Sequence, residues 1–253
     1  MPIPTSIAYL LLAGDFAIIA ALLFGLRQTL ARAGWRAEER AAILRRAGLI
    51  LFAWYAVALA LSWSGFFAAG SGRIPTIEIG VFGPILLGAF MLWRSGTLGR
   101  ILDAVPQSWL VGVQVYRTIG VVFLVLLQLG QLPGAFAWPA GLGDMLTGLA
   151  APIVALLYAR DSGGAAPLVR AWNLLGLLDL VTAVAIGFLT SPSPLQLIST
   201  QPPNELVSAF PLVMIPVFAV PIAALLHLMS LMKLHRTQAR KNAAPSSPLP
   251  RAA

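Results

Sequence analysis

The chain has 253 residues, of which 58% are hydrophobic and only 10% are charged, and it contains no cysteine. Soluble domains hold about 45–50% apolar and about 25% charged residues, so this composition excludes a soluble globular protein and indicates a membrane protein. The lack of cysteine excludes disulfides, thiolate nucleophiles and cysteine metal sites. The net charge of +8 would suit nucleic acid. However, nearly all the positive residues lie between apolar runs, so we expect a lipid bilayer as partner and no nucleic acid.

Seven apolar runs are long enough to cross a bilayer as helices, because about 20 residues span a hydrocarbon core of roughly 30 Å. In chain order they are residues 5–25, 49–69, 75–93, 107–129, 134–159, 168–189 and 209–232. The sequence therefore predicts an all-α fold in which residues 1–234 form one seven-helix transmembrane domain. Residues 235–253 are basic and rich in Pro and Ser, which predicts a disordered cytoplasmic tail.

The Lys and Arg residues predict the orientation of the chain. All but two of the 17 lie in the loops after the first, third and fifth spans or near the C-terminus, and the exceptions are Arg73 and Arg117. Cytoplasmic loops carry the excess of Lys and Arg in membrane proteins. We therefore expect an outside N-terminus, an inside C-terminus and a location in the inner (cytoplasmic) membrane of the cell.

Spans one to three resemble spans five to seven in the same order. The matches are Gly14-Asp15-Phe16 with Gly143-Asp144-Met145, Ala53-Trp54-Tyr55 with Ala171-Trp172-Asn173, and Pro75, Glu78 and Pro84 with the equally spaced Pro202, Glu205 and Pro211. The pattern predicts a duplication, with repeat 1 over about 5–93, a linker helix over 107–129 and repeat 2 over about 134–232. Coincidence between low-complexity apolar segments is the alternative.

This 3+1+3 plan resembles that of the SWEET-type sugar transporters, and the seven-helix opsins share its helix count and orientation. The resemblance is architectural only. The Pro-Gln pair of SWEET and PQ-loop proteins is absent from spans one and five, since Pro106-Gln107 opens span four. Span seven has no mid-depth lysine that could hold retinal, because Lys233 lies at its inner end. No functional residue is carried over from either family.

Arg117 lies near the middle of the fourth apolar run. An arginine at the centre of a bilayer costs about 2.5–3.5 kcal/mol on insertion scales, and it cannot shed its charge, so polar partners must face it. On an α-helix, Gln114 and Gln128 fall on the same stripe as Arg117. We therefore expect all three side chains to point into the helical bundle.

Three acids lie at a similar depth, namely Asp15, Asp144 and Asp179. Asp15 and Asp144 are equivalent in the two repeats, so a pseudo-twofold axis predicts an Asp15-Arg117-Asp144 centre. Asp179 is then left without a cation and becomes a candidate proton carrier. The structural alternative is that these charges only fix the packing of the helices.

Other polar residues have weaker functional readings. Asn173 is predicted to bridge helices near the inner face, and Glu78 to be a solvated helix-start residue at the outer end of span three. His227 and His235 flank two methionines, but only one of them lies well inside a span. We therefore expect neither a haem nor a copper site, and no cofactor or metal.

The sequence predicts a small-solute transporter or channel, with an anionic or polyhydroxyl solute suited to Arg117 and the glutamines, and with proton coupling through the surplus acid. The alternative is a receptor, or an accessory subunit of a membrane complex, whose charges specify packing. Signatures of zinc proteases, nucleotide hydrolases and serine hydrolases are absent from the sequence, so an intramembrane enzyme is a third and weaker reading. Homo- and hetero-oligomers are both left open.

The predicted orientation gives the first test. A reporter fused after Ala253 should be active on the cytoplasmic side, and one inserted at Ser193 should be active on the opposite side. Paired alkaline phosphatase and fluorescent-protein fusions measure both positions. A C-terminus outside the cytoplasm would contradict the seven-span topology and the parallel repeat with it.

Overall fold

The computed structural model describes residues 3–70, 72–161 and 163–243, and its regular structure there is entirely helical. Five membrane spans are single helices: α1 (Thr5–Arg32), α2 (Ala37–Trp63), α3 (Ile77–Arg94), α7 (Gly134–Arg160) and α8 (Ala166–Thr190). The fourth span consists of α5 (Gln107–Gly112), a 3₁₀ segment (Val113–Gly120) and α6 (Val121–Gln128). The seventh consists of a π segment (Ile215–Ala219) and α9 (Val220–Ala243). A short helix, α4 (Gly96–Ala104), precedes the fourth span.

Within the described residues, seven helical stretches are long and apolar enough to cross a membrane. This confirms the prediction of an all-α, seven-span protein. The spans differ in how much of them is enclosed: 61% of the most apolar window of the seventh span is buried, against 11% for spans two and three. The helix α7 packs along the whole fourth span and against α8. The fourth, fifth and seventh spans therefore form the centre of the bundle.

The loops divide between two ends of the bundle. The N-terminal end carries the start of α1 and the loops that follow α2, α6 and α8, and the basic end carries the loops after α1, α3 and α7 with the end of α9. Two of the loops at the N-terminal end are joined by hydrogen bonds. The Gly70 amide donates to the Pro192 carbonyl at 2.9 Å, and the Ala69 amide donates to Ser208 Oγ at 2.9 Å.

The last helix extends further than the sequence predicts. Residues 235–243 continue α9, so the prediction of disorder from residue 235 is wrong for these nine, while 244–253 lie outside the described residues. Arg240 Nη2 donates to Asp103 Oδ2 at 2.6 Å, and Arg236 Nη1 lies 3.5 Å from Oδ1. Burial alone would raise the pKa of Asp103, but the hydrogen bonds and charges of Arg240 and Arg236 outweigh it and hold that pKa below its ordinary value. These two ion pairs hold the end of α9 against α4.

Glycines allow the central helices to approach each other backbone to backbone. A Cβ on Gly148 of α7 would lie 2.5 Å from the Thr118 amide nitrogen and 3.0 Å from the carbonyl carbon of Arg117. A Cβ on Gly141 would lie 3.2 Å from the Gly120 carbonyl oxygen. Small residues at helix interfaces are typical of membrane proteins, because van der Waals packing drives helix association there. Close packing on α7 thus fixes the position of the 3₁₀ segment.

The 3₁₀ segment changes which residues of the fourth span face inward. Val111, Gln114, Arg117 and Gly120 are all buried, at intervals of three. A 3₁₀ helix has 3.0 residues per turn, so each residue turns roughly 20° further than in an α-helix. The difference accumulates over the segment and rotates α6 away from the predicted stripe. Gln128 is exposed as a result, and its predicted inward orientation is wrong.

Candidate functional site

The guanidinium of Arg117 is buried at the centre of the bundle, with 2% of the residue exposed. Its Nε donates to Asp144 Oδ1 at 2.8 Å, and Nη2 lies 2.7 Å from the same oxygen. Nη2 also donates to Asp179 Oδ2, while Nη1 donates to the Gly176 carbonyl at 3.3 Å and to His227 Nε2 at 3.0 Å. An arginine has five N–H donors. All five therefore have an acceptor within the protein.

Glycines, which have no side chain, leave room for this cluster. A Cβ on Gly143 would overlap the Asp179 carboxylate, and one on Gly120 would overlap the Asp144 side chain. A Cβ on Gly176 would overlap the His227 ring and would lie 3.1 Å from Arg117 Nη1. The glycines of α7, α8 and the 3₁₀ segment are thus part of the site, because any larger residue would displace an acceptor of Arg117.

The hydrogen bonds determine the protonation state of His227, which is fully buried. An arginine can only donate, so His227 Nε2 must be the acceptor in its bond with Arg117 and must carry no proton. The ring is then neutral, and its Nδ1–H donates to Asn173 Oδ1 at 2.9 Å. Gln114 is also fully buried, with its Nε2 3.4 Å from His227 Nδ1.

A second layer of polar groups continues from His227 towards the basic end. The Asn173 amide donates to Ser230 Oγ at 2.8 Å and to the Val169 carbonyl at 2.7 Å. Gln107 Nε2 donates to the same Ser230 Oγ at 2.5 Å. Asn173 therefore bridges helices, as predicted, and does so inside the network of Arg117. Beyond this layer, Lys233 Nζ donates to the Leu102 and Asp103 carbonyls at 3.0 and 2.7 Å.

The structure corrects the expected partners of Arg117. Asp144 is one of them, but the second is Asp179, so the prediction of an Asp15-Arg117-Asp144 centre is wrong in its first member. The 3₁₀ register is the reason, because it turns Arg117 towards α7 and α8 and away from α1. Asp15 is 5% exposed and lies apart from the ion pairs, and its Oδ2 has no hydrogen bond within the described part of the chain. Asp15 and Asp144, which the predicted duplication makes equivalent, thus have unequal surroundings.

His227, Ser230 and Gln107 are site residues that the sequence analysis did not assign. The signal for His227 was available, because it lies well inside the seventh span, where an uncharged apolar residue would be cheaper to bury. Considering it only as a metal ligand hid its role as an acceptor for Arg117. Ser230 and Gln107 gave no such signal, since serine and glutamine near a helix end are common in membrane spans.

A cavity of about 850 Å³, open mouth included, leads from the N-terminal end of the bundle to Asp144. Most of its wall is apolar, and its ionisable lining residues are Arg73, Glu78 and Asp144. A smaller space of about 220 Å³ adjoins it and is lined by Arg117, Asp144 and Tyr116. Asp144 thus separates the open cavity from the buried guanidinium.

Glu78 is positioned differently from the solvated helix-start residue that the sequence predicts. It is partly buried in the first turn of α3 and lines the cavity. Its Oε2 is buried and has no hydrogen-bond partner in residues 3–70, 72–161 and 163–243. The other Asp144 oxygen, Oδ2, likewise has no hydrogen bond within these residues. The cavity therefore contains two carboxylate oxygens with unused acceptor capacity.

The chain belongs to the family described as Domain of unknown function (DUF8737), whose model matches residues 74–235. The matched region contains Arg117 and all its acceptors, as well as Glu78 and the second polar layer. It does not include Asp15 or spans one and two. No curated protein and no solved structure matches the chain.

Stability measurements can test the assignment of partners. Arg117→Leu should lower the free energy of unfolding by about 3–5 kcal/mol, because it leaves two buried carboxylates without their cation. Adding Asp144→Asn and Asp179→Asn should restore most of the loss. Adding Asp15→Asn instead should restore little, since Asp15 lies outside the ion pairs. Melting temperatures in one detergent provide the comparison, and a rescue by Asp15→Asn alone would contradict the assigned network.

Proposed function

We propose that this member of the DUF8737 family transports a small solute across the membrane that it spans, with the Arg117 cluster as its coupling site. The cavity that ends on Asp144 is the observation that carries this proposal. Small-molecule sites are concave and mostly apolar, with a few polar groups that fix the orientation of the ligand. A cluster that only held helices together would need no opening to one end of the bundle.

The polar groups beyond Arg117 support a path through the rest of the bundle. They run from His227 through Asn173 to Ser230 and Gln107, on the side of Arg117 that faces the basic end. Ionisable residues within a span, such as His227, are costly and are functional candidates by default. The apolar cavity and these polar groups together extend along the bundle on both sides of Arg117. In this proposal the basic end faces the cytoplasm, and the membrane is the inner membrane.

The seventh span is the candidate for the segment that changes conformation during transport. Ile215 and Val220 line both the cavity and the smaller space around Arg117, so this span forms part of the wall between them. Pro216 and Pro221 cannot donate backbone hydrogen bonds, and the Tyr116 hydroxyl donates to the Ala219 carbonyl at 3.1 Å. π segments occur often at functional sites and bend helices. A change at this segment would connect Arg117 with the cavity.

The charges of the cluster favour coupling to a cation or a proton. Arg117 contributes one positive charge against two carboxyl groups, while His227 is neutral, so ionisation of both aspartates leaves a surplus negative charge. A surplus negative charge in a low-dielectric site is relieved by a bound proton or cation. The anionic solute expected from the sequence suits this site poorly, because Arg117 has no free donor left.

One observation favours the second candidate, a receptor or accessory subunit. Every donor of Arg117 is satisfied within the protein, as a purely structural network would require. The two candidates differ in whether water reaches the polar groups of the bundle from both ends. A transporter must open to each side in turn, whereas a packing network stays closed at the basic end.

Single cysteines test this difference, since the chain has none of its own. Ala183 lines the cavity, whereas Ala185, two residues along α8, is exposed on the outer face of the bundle and serves as the matched control. In proteoliposomes of known orientation, Ala183→Cys should react with a membrane-impermeant cationic thiosulfonate roughly tenfold or more faster than Ala185→Cys, because lipid excludes water from the latter.

Access from the other side is tested with Ser230→Cys, a near-isosteric change in the fully buried second layer. The transporter proposal predicts slow but measurable labelling from the basic end, caused by transient opening there. Labelling of Ala183→Cys with complete inertness of Ser230→Cys would favour the receptor or subunit. Inertness of both would exclude an open cavity and transport with it.

A further inference from the structure

We propose that the solute of this cavity is an organic cation that carries an apolar chain. This inference rests on the proposed function, because it takes the cavity to be the solute site, and it adds the chemical class of the solute. Three features of the described residues support it: the sign of the unused polar groups, the position of the positive groups, and the nature of the walls.

Two carboxylate oxygens in the cavity have unused acceptor capacity. Glu78 Oε2 is buried without a hydrogen-bond partner in the described part of the chain, and Asp144 uses only Oδ1 to bind Arg117. Three serine hydroxyls line the cavity. Those of Ser191 and Ser208 donate to the backbone carbonyls of Asn204 and Glu205, and that of Ser193 accepts from the Leu195 amide. A buried carboxylate without a partner is unfavourable unless a positive group or a proton neutralises it. A cationic head group beside Glu78 would supply that charge.

Of the two positive groups near the cavity, one has all its donors occupied and the other is exposed to solvent. Arg117 lies behind Asp144, and all its N–H groups are occupied. Arg73 lines the mouth but is exposed to solvent, and its charge is therefore screened. Apart from Arg73, the ionisable lining residues of the cavity are the two carboxylates Glu78 and Asp144. An anionic solute would be repelled by both.

The apolar walls of the cavity favour a solute with an apolar chain. The apolar lining includes the aromatic residues Phe67, Phe123 and Phe136 and the aliphatic residues Leu180 and Val184. Burial of an alkyl chain against such a surface contributes about 0.8 kcal/mol per methylene group. Aromatic rings also attract cations that lie over their faces. A small hydrophilic cation would gain nothing from these walls, so charge and chain are both needed.

The experiment uses the full chain with Ala183→Cys in phosphatidylcholine nanodiscs, and it measures the rate of labelling by N-ethylmaleimide. Octyltrimethylammonium should protect the thiol. Octyl sulfate, which has the same chain and the opposite charge, should need about tenfold or higher concentration, and so should tetramethylammonium, which lacks the chain. These three probes test charge and chain with every acid in place.

Glu78→Gln then tests the named carboxylate in the same background. Protection is measured relative to the unprotected labelling rate of the same variant. Glu78→Gln should raise the octyltrimethylammonium concentration for half-protection about tenfold. Glu205→Gln is the matched control, because Glu205 is an exposed acid of the loop before the π segment and does not line the cavity. It should leave the half-protection concentration unchanged.

The outcomes separate the two proposals. Equal protection by octyltrimethylammonium and octyl sulfate, or protection by the cation that Glu78→Gln leaves unaltered, would overturn the cationic class and leave the cavity as the solute site. Labelling of Ala183→Cys that no probe slows would also overturn it. A thiol at Ala183 that never reacts would overturn both proposals, since no open cavity would exist.

Discussion

The structure depends on one buried guanidinium that must keep its charge. Arg117 at mid-depth costs about 2.5–3.5 kcal/mol or more in hydrocarbon, so the fold has to provide acceptors for every N–H group. Those acceptors are a carboxylate of α7, a carbonyl and a carboxylate of α8, and an imidazole of α9. One side chain thereby fixes the fourth span against three others. In a bilayer, where helices gain no hydrophobic energy from contact with each other, such a cluster specifies which spans pack together.

The local geometry around Arg117 explains why the cavity lies where it does. The 3₁₀ segment places Gln114, Arg117 and Gly120 in one line, and glycines of α7 and α8 allow the backbones to close around them. The cluster therefore fills the space between the fourth span, α7, α8 and α9. Towards the N-terminal end, α3, α8 and the π segment stay apart and leave the apolar cavity between them. Asp144 belongs to both regions, with one oxygen on Arg117 and the other without a hydrogen bond among the described residues.

The sequence was sufficient for the seven spans and for the existence of a polar centre, because bilayer thickness and the insertion cost of Arg117, Asp144 and Asp179 are general constraints. It was insufficient for the pairing. An α-helical stripe is a poor guide where the helix tightens to 3.0 residues per turn, so Gln128 was placed inside and Asp15 was paired with Arg117 in error. The cavity and the unpaired oxygen of Glu78 depend on gaps between helices that are distant in sequence. The periodicity of a single helix gives no information about such gaps. The duplication and the membrane orientation remain predictions from the sequence.

A cluster with two acids for one cation, at the end of an acidic and apolar cavity, is suited to exchange charge with a solute. Current measured on a solid-supported membrane after a jump in octyltrimethylammonium tests this most directly, with protein-free liposomes as the blank. The transport account predicts a current above the blank that persists after the initial binding transient and disappears in Asp144→Asn. A transient that decays fully to the blank would show binding without transport and would contradict the account.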